Sequence, residues 1–427
     1  MSSRPAGRLS HMERTENQPP AAAAPTSRLS SAGLTRLHES MGAHVGPGRL
    51  PGLITLVACG GDVHIDTIGA PSTAEDAPLR RDAIVRIASL TKPITAVATM
   101  SLVEEGLLAL NEPIDELLPE LADRRVLRAL DAELDDTVPA NRPITLEDLL
   151  SSRFGFGSVI APPGSYPIQL AEAEVGLQSI GGPPWPPVAH DVDSWIRALG
   201  SLPLISQPGE QWLYNTPAQV LGVLLTRACG RDLESVLGER VLEPLGMVDT
   251  SFTVPPEKLT RLTTLYRSDP RTGEMTALDD PADSWWSRPP SFPDAGGWLV
   301  STIDDYWSFV SMILGGGIGR AQRILSPATV ALMCTDRLTR SQRSASRLFL
   351  GDHGGWGLGL EVPANGSADQ PLPCGIGWDG GTGTTWRSNP ASGVTGILFS
   401  QRQATSPAPP PVIEDFWAAV NAATATP

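Results

Sequence analysis

The sequence predicts an α/β fold in which an antiparallel sheet is flanked by helices and a mainly helical lobe is inserted into it. Three observations carry this. A helix and a glycine-turned hairpin stand near the N-terminus, glycine-punctuated apolar strands stand near the C-terminus, and the pattern between them is mainly helical. The hairpin and the late strands are natural partners in one sheet, which makes the middle an insertion. At 427 residues the chain exceeds the size, roughly 250–300 residues, at which a single core stops growing, so two lobes sharing a cleft are expected. The expected bounds are 31–100 with 295–427 for the α/β lobe and 101–294 for the helical lobe, behind a disordered tail at 1–30.

Taken in order, the first 30 residues are tail-like, with a PPAAAAP stretch that has nothing to pack. Leu34, Leu37 and Met41 then recur at helical spacing, and GLITLVACGGDVHIDTIGA reads as two strands turned at Gly60-Gly61. In RIASLTKPITAVATMSLVEEGLLAL the apolar residues return at helical intervals. Proline is tolerated only in a first helical turn, so Pro93 sets the start of this helix close to Ser89 and Leu90. From about 107 to 290, ITLEDLLSS, VDSWIRAL, AQVLGVLLTRACG and LESVLGERVLEPLGM are the clear helices. Loops at 161–187 and 279–294 separate them. STIDDYWSFVSMIL and SPATVALMC give two more helices, GWGLGLEV, GIGWDGGTGTTW and SGVTGILFSQRQ give strands, and PVIEDFWAAVNAA closes the chain as a helix.

Composition excludes several function classes. A formal charge of −15 opposes nucleic-acid binding, which depends on clustered Lys and Arg. No apolar run approaches the roughly 18 residues of a membrane span, and residues 1–30 lack a secretory h-region, so a cytoplasmic protein is expected. The four cysteines, Cys59, Cys229, Cys334 and Cys374, have no metal-ligand spacing and are read as buried thiols. The histidines form no H-E-x-x-H motif that would suggest zinc, so neither a metal nor any other cofactor is expected.

The sharpest chemical feature is Ser89-Leu90-Thr91-Lys92. Three residues apart at a helix start, a serine and a lysine share a face and reach one another. A serine hydroxyl is a weak nucleophile until a base takes its proton, and a lysine held neutral by burial can do so. The chain has only two lysines, Lys92 and Lys258, so the pairing is a poor candidate for coincidence. No G-x-S-x-G elbow occurs to suggest a different nucleophile.

These residues, with GLTRLHESM, ITLEDLLSSRFGFG, QPGEQWLYNTPAQVLGVLL, VLEPLGMVDTSF, AGGWLVSTIDDYWSFVSMILGGG and GIGWDGGTG in the same order, resemble the class C β-lactamases and their relatives. Those relatives are the family VIII carboxylesterases, penicillin-binding proteins and D-aminopeptidases. The resemblance spans about 33–402 and implies a β-lactamase/transpeptidase-like fold. It implies that Tyr214 completes a proton relay between nucleophile and leaving group, and that the backbone N–H groups of Ser89 and Gly381 form the oxyanion hole. It also places Trp378-Asp379-Gly380 where lactamases commonly carry Lys-Thr-Gly, so the cation that would hold a lactam's carboxylate is missing. Thr216 falls where the family commonly has asparagine, with Asn215 one residue early, and Thr216, Trp378, Asp379 and Gly380 are expected to contact the substrate.

Trp285, Trp286 and Trp185 are candidates to line an apolar substrate pocket. The expected function is a serine hydrolase cleaving small-molecule carboxylic esters through an acyl-enzyme. The rivals on the same site are β-lactam or D-aminopeptidase-type amide hydrolysis and acyl transfer. A catalytically silent binding domain is the rival from another class.

Overall fold

The structure, a computed structural model, describes residues 29–177, 188–269, 271–320, 322–368 and 370–424. Nearly all of the expected tail, and Trp185, lie outside the described residues. The main sheet has seven strands, labelled β1 (Gly52–Cys59), β2 (Asp62–Gly69), β3 (Gly354–Trp356), β4 (Glu361–Pro363), β5 (Ile376–Gly380), β6 (Thr384–Asn389) and β7 (Val394–Phe399). Its spatial order is β2-β1-β7-β6-β5-β4-β3, antiparallel throughout, with Ile54 opposite Phe399, Thr384 opposite Phe399 and Trp378 opposite Trp386. The N-terminal hairpin and the late strands therefore pair through β1 and β7. Gly60 and Gly61 both have positive φ, as a two-residue hairpin turn requires.

Every residue of β1 is buried, because the sheet is covered on both faces. The pleat sorts its side chains: Leu53, Val57 and Cys59 join Leu37 and Met41 of helix α1 (Ser31–Gly42) in one core, while Ile54, Leu56 and Ala58 face the larger core. The second layer of the smaller core is the closing helix, Pro411–Thr424, through Phe416, Trp417 and Val420. On the larger core's side lie helix α2 (Thr91–Glu104), helix α3 (Thr216–Cys229) and helix α4 (Ile303–Leu314), before the closing helix, α5. Tyr306 and Phe309 of α4 set their rings edge-on against Trp386 and Phe399 of the sheet.

Several expectations change in detail. The boundary placed at 100/101 falls inside α2. The span expected to be mainly helical also contains two strand pairs, Arg125–Leu127 with Thr137–Pro139 and Leu265–Ser268 with Met275–Asp279, each too short to show a periodicity in the sequence. GWGLGLEV and GIGWDGGTGTTW each divide into two strands, since their internal glycines turn the chain. None of the four cysteines is in a disulfide, but only Cys59 is buried; the other three are half-buried. Among the described residues no helix is long and apolar enough to cross a membrane.

Candidate active site

The nucleophile candidate sits just ahead of α2, in a short 3-10 turn over Ala88–Leu90. Ala88 has a φ of 46°, a left-handed conformation that costs a non-glycine residue roughly 1 kcal/mol or more and persists only when its surroundings impose it. They do so from several elements. Ile87 N–H donates to Leu299 O, Thr384 Oγ1 donates to Ile87 O at 3.1 Å, and the Tyr306 hydroxyl donates to Leu90 O at 3.2 Å. Thr91 Oγ1 caps the turn by donating to Ala88 O at 2.7 Å and accepts Leu299 N–H at 3.2 Å. A Cβ on Gly380 would stand 2.5 Å from Ile87 O, so only glycine lets β5 approach the nucleophile turn this closely.

Lys92 is buried behind Ser89. Its Nζ lies 3.1 Å from Ser89 Oγ and donates to Asn215 Oδ1 at 3.0 Å and to Gly296 O at 2.6 Å. Burial pushes its pKa down to about 7, while the nearby Asp294 carboxylate pulls the other way. A neutral amine has two N–H donors and one lone pair. With the donors directed at Asn215 and Gly296, the lone pair is left for the Ser89 hydroxyl proton.

Tyr214 closes the group from the loop before α3. Its hydroxyl bonds the Ser89 side chain and accepts the indole N–H of Trp378 at 2.7 Å. Burial raises its pKa well above the ordinary phenol value, so at neutral pH it is a protonated phenol rather than a phenolate. Trp212, Phe349 and Trp378 pack around it with ring centroids 5.0–5.6 Å away. Asn215, the next residue, has φ 74° and ψ −66°, and Thr216 N–H donates back to Tyr214 O at 3.1 Å. That is a γ-turn of the rare, strained kind, and it aims the Asn215 amide at Lys92. Asp294 is the buried anchor beneath: it accepts Gly296 N–H at 2.7 Å and Gln219 Nε2 at 3.0 Å, tying the Lys92 acceptor loop to α3.

The cleft above these groups is lined by Ser89, Tyr214, Asn215, Trp378, Asp379, Gly380 and Gly381, with Phe349 and the chain from Gln403 to Pro410 opposite. Ser89, Lys92, Tyr214, Trp378, Asp379, Gly380 and Gly381 thus come together as a group. Three pocket expectations are corrected. Thr216 is buried at the first position of α3, because the γ-turn directs Asn215 into the cleft instead. Trp286 is core, stacked on Trp298 at 4.5 Å with its indole N–H on Trp298 O. Trp285 is half-buried beside it, with its backbone N–H on Asp279, and does not line the cleft.

Sequence reasoning missed Asn215 as a lysine partner, Asp294, Gln219, Phe349 and the segment 403–410. Asn215 had a signal, its displacement by one place from the family's pattern, but the γ-turn that makes this displacement productive is not written in any local motif.

The β-lactamase family model matches residues 37–414. The chain belongs to the β-lactamase family of serine hydrolases. Among relatives, Protein Rv1367c of Mycobacterium tuberculosis (strain ATCC 25618 / H37Rv) is 39% identical over 348 residues, 79% of this chain and 82% of that protein. Esterase EstB of Burkholderia gladioli is 28% identical over 82% of this chain and 86% of its own length. Among solved structures, EstCE1, described as a hydrolase with promiscuous acyltransferase activity, superposes with a TM-score of 0.74. That match covers 91% of this chain and 98% of the other at 22% identity, a likeness of fold. In this member of the β-lactamase family the Ala88–Leu90 turn packs beside β5.

Proposed function

We propose that the protein is a carboxylesterase that cleaves neutral esters through an acyl-enzyme on Ser89. Neutral Lys92 takes the Ser89 proton as Oγ bonds to the acyl carbon, and the N–H groups of Ser89 and Gly381 receive the oxyanion. As the bond from the acyl carbon to the ester oxygen breaks, Tyr214 gives its proton to the departing alkoxide and is reprotonated from the Lys92 ammonium. Water then attacks the acyl-enzyme by the same relay in reverse, giving the acid and restoring the Ser89 hydroxyl.

The observation that carries the ester reading is the Trp378 indole N–H on the Tyr214 hydroxyl, at the place where lactamases commonly carry lysine. The indole occupies an acceptor site on the phenol and so directs the phenol's own proton away from Trp378, toward Ser89 and the leaving group, without offering any charge to a substrate carboxylate. No Lys or Arg is among the described residues lining the cleft, and its one charged lining group is Asp379. The guanidinium beside Trp378, that of Arg387, is buried and engaged by Asp379 at 3.0 Å and Glu361 at 2.6 Å. A β-lactam carboxylate would therefore enter a partly desolvated cleft unpaired, at a cost of several kcal/mol. The name of the relative Esterase EstB agrees with this reading.

The test is kcat/KM for p-nitrophenyl acetate and for benzylpenicillin on one preparation. The ester is expected to exceed the penicillin by at least about 100-fold, roughly 2.7 kcal/mol in the barrier. Comparable values would leave the family assignment standing and remove the ester preference.

A further inference from the structure

The oxyanion hole of the proposed reaction needs two backbone N–H groups held at one spacing, and they stand on separate elements. Ser89 N–H belongs to the 3-10 turn, and Gly381 N–H to the turn between β5 and β6. Each is aimed through the carbonyl of its own peptide, because a trans peptide points its N–H and C=O in opposite directions and fixing one directs the other. Ala88 O, on the peptide that carries Ser89 N–H, accepts Thr91 Oγ1 at 2.7 Å. Gly380 O, on the peptide that carries Gly381 N–H, accepts Gly383 N–H at 3.0 Å. Gly381 N–H bonds no other group among the described residues, and Gly381 lines the cleft with Ser89. Both donors are therefore aimed. What remains to be set is the distance between them.

That distance is spanned by buried threonines. Thr382 Oγ1 donates to Arg86 O and Thr384 Oγ1 donates to Ile87 O, so the hydroxyls on either side of Gly383 latch the β5–β6 turn onto the residues that run into the nucleophile turn. Thr382 directly follows Gly381. The Arg86 end is immobile: its guanidinium is buried, pairs with Asp279, donates to Thr263 O at 2.5 Å and lies 4.9 Å over the Trp286 ring. The Gly381 end is held from the other side by Ala404 N–H on Gly381 O at 2.8 Å. Neither Thr382 nor Thr384 lines the cleft, so neither meets the substrate.

Resting on the esterase reading above, we infer that Thr382 is a positioning residue of the oxyanion hole: its hydroxyl, braced by that of Thr384, holds Gly381 N–H at the spacing from Ser89 N–H that fits the tetrahedral oxyanion. Removing the latch leaves nucleophile, base and relay in place and loosens the hole. The loss falls on the transition state rather than on substrate binding, so it lowers kcat and spares KM.

The experiment measures kcat and KM for p-nitrophenyl acetate and for its thiono analogue, in which sulfur replaces the carbonyl oxygen, on wild type, Thr382→Val and Thr382→Ser. Sulfur accepts hydrogen bonds weakly, so only the oxygen ester draws fully on the hole. Thr382→Val keeps the side chain's shape and removes its donor. Its kcat for the oxygen ester is expected to fall about 30-fold with KM changed less than about threefold, short of the roughly 10²–10³-fold cost of losing a hole donor outright. The ratio of oxygen-ester to thiono-ester turnover should fall about tenfold, whereas a merely structural loss lowers both esters alike. Thr382→Ser restores the donor and should return both readings to within about threefold of wild type. The acidic limb of the pH profile should hold its wild-type position in every variant, because the latch does not reach Lys92. Thr382→Ala removes the same donor without adding bulk and supplies the same readings if Thr382→Val does not fold. An oxygen-to-thiono ratio unmoved in the folded valine or alanine variant, a serine variant as slow as either, or a displaced acidic limb would overturn the positioning role while leaving the enzyme an esterase. A wild type that turns over neither p-nitrophenyl ester would overturn the esterase reading and this inference together.

Discussion

The nucleophile turn and the segment 405–410 face each other across one cleft, yet they are built on opposite terms. The turn is bonded from β6, from α4 and from the backbone at Leu299, tightly enough to keep Ala88 at a positive φ. The facing segment is exposed from residue 405 to 409, is fixed at its ends by Ala404 N–H on Gly381 O and by Ile413 N–H on Pro410 O, and holds itself through Ser406 and Ala408. Cavities lie against both of its faces. Chemistry that needs sub-ångström placement sits on the rigid side, and the wall that sizes the substrate sits on the side that can vary without disturbing the fold.

Breaking the rigid side should have the largest effects. Lys92→Ala is expected to cost about 10³-fold or more in kcat, and Lys92→Arg should not rescue it, because a guanidinium stays protonated and cannot accept the serine proton. In the wild type, kcat/KM should rise with pH through an apparent pKa near 7, the value to which burial pushes Lys92, as the ammonium loses its proton. Asp294→Asn sharpens this. The carboxylate favours the charged form of Lys92, so its removal lowers that pKa and moves the acidic limb to lower pH. A limb unmoved by Asp294→Asn would show that another group governs it.

Next in size come the residues that aim the relay. Trp378→Phe removes one hydrogen bond to Tyr214 and should lower kcat about tenfold with little change in KM for a small ester. At Asn215 two substitutions separate strain from function. Both Asn215→Gly and Asn215→Ala lose the Lys92 contact and should reduce kcat. Only the glycine relieves the positive φ, so its melting temperature should exceed that of the alanine variant. The smallest effect is expected on the loose side: Ser406→Ala should leave thermal stability within about 0.5 kcal/mol and shift KM for bulky esters more than kcat.

The same contrast explains what could be read from sequence. Ser89 and Lys92 were legible because their spacing, the helix start marked by Pro93 and the scarcity of lysine all point one way. The sheet was legible through its glycine-punctuated strands. Tyr214 and the Trp378-Asp379-Gly380 strand became visible through ordered blocks rather than local chemistry. Trp285 and Trp286 misled because an apolar ring in a loop serves a core as readily as a pocket, and Trp286 stacks on Trp298. Asp294 and the outer wall of the cleft were hidden since both depend on segments far apart in the chain: Asp294 reaches Gln219, and Phe349 and Ile413 line one cleft with Ser89.

The central claim is that Ser89 carries the acyl group, and trapping that intermediate tests it most directly. Wild-type protein mixed with p-nitrophenyl acetate and quenched in acid during the first turnovers should gain the mass of one acetyl group, located by peptide mapping on Ser89. Ser89→Ala should gain none and lose activity by several orders of magnitude. An acetyl group mapped stably to another residue during turnover, or a Ser89→Ala variant within about tenfold of wild-type activity, would contradict the account.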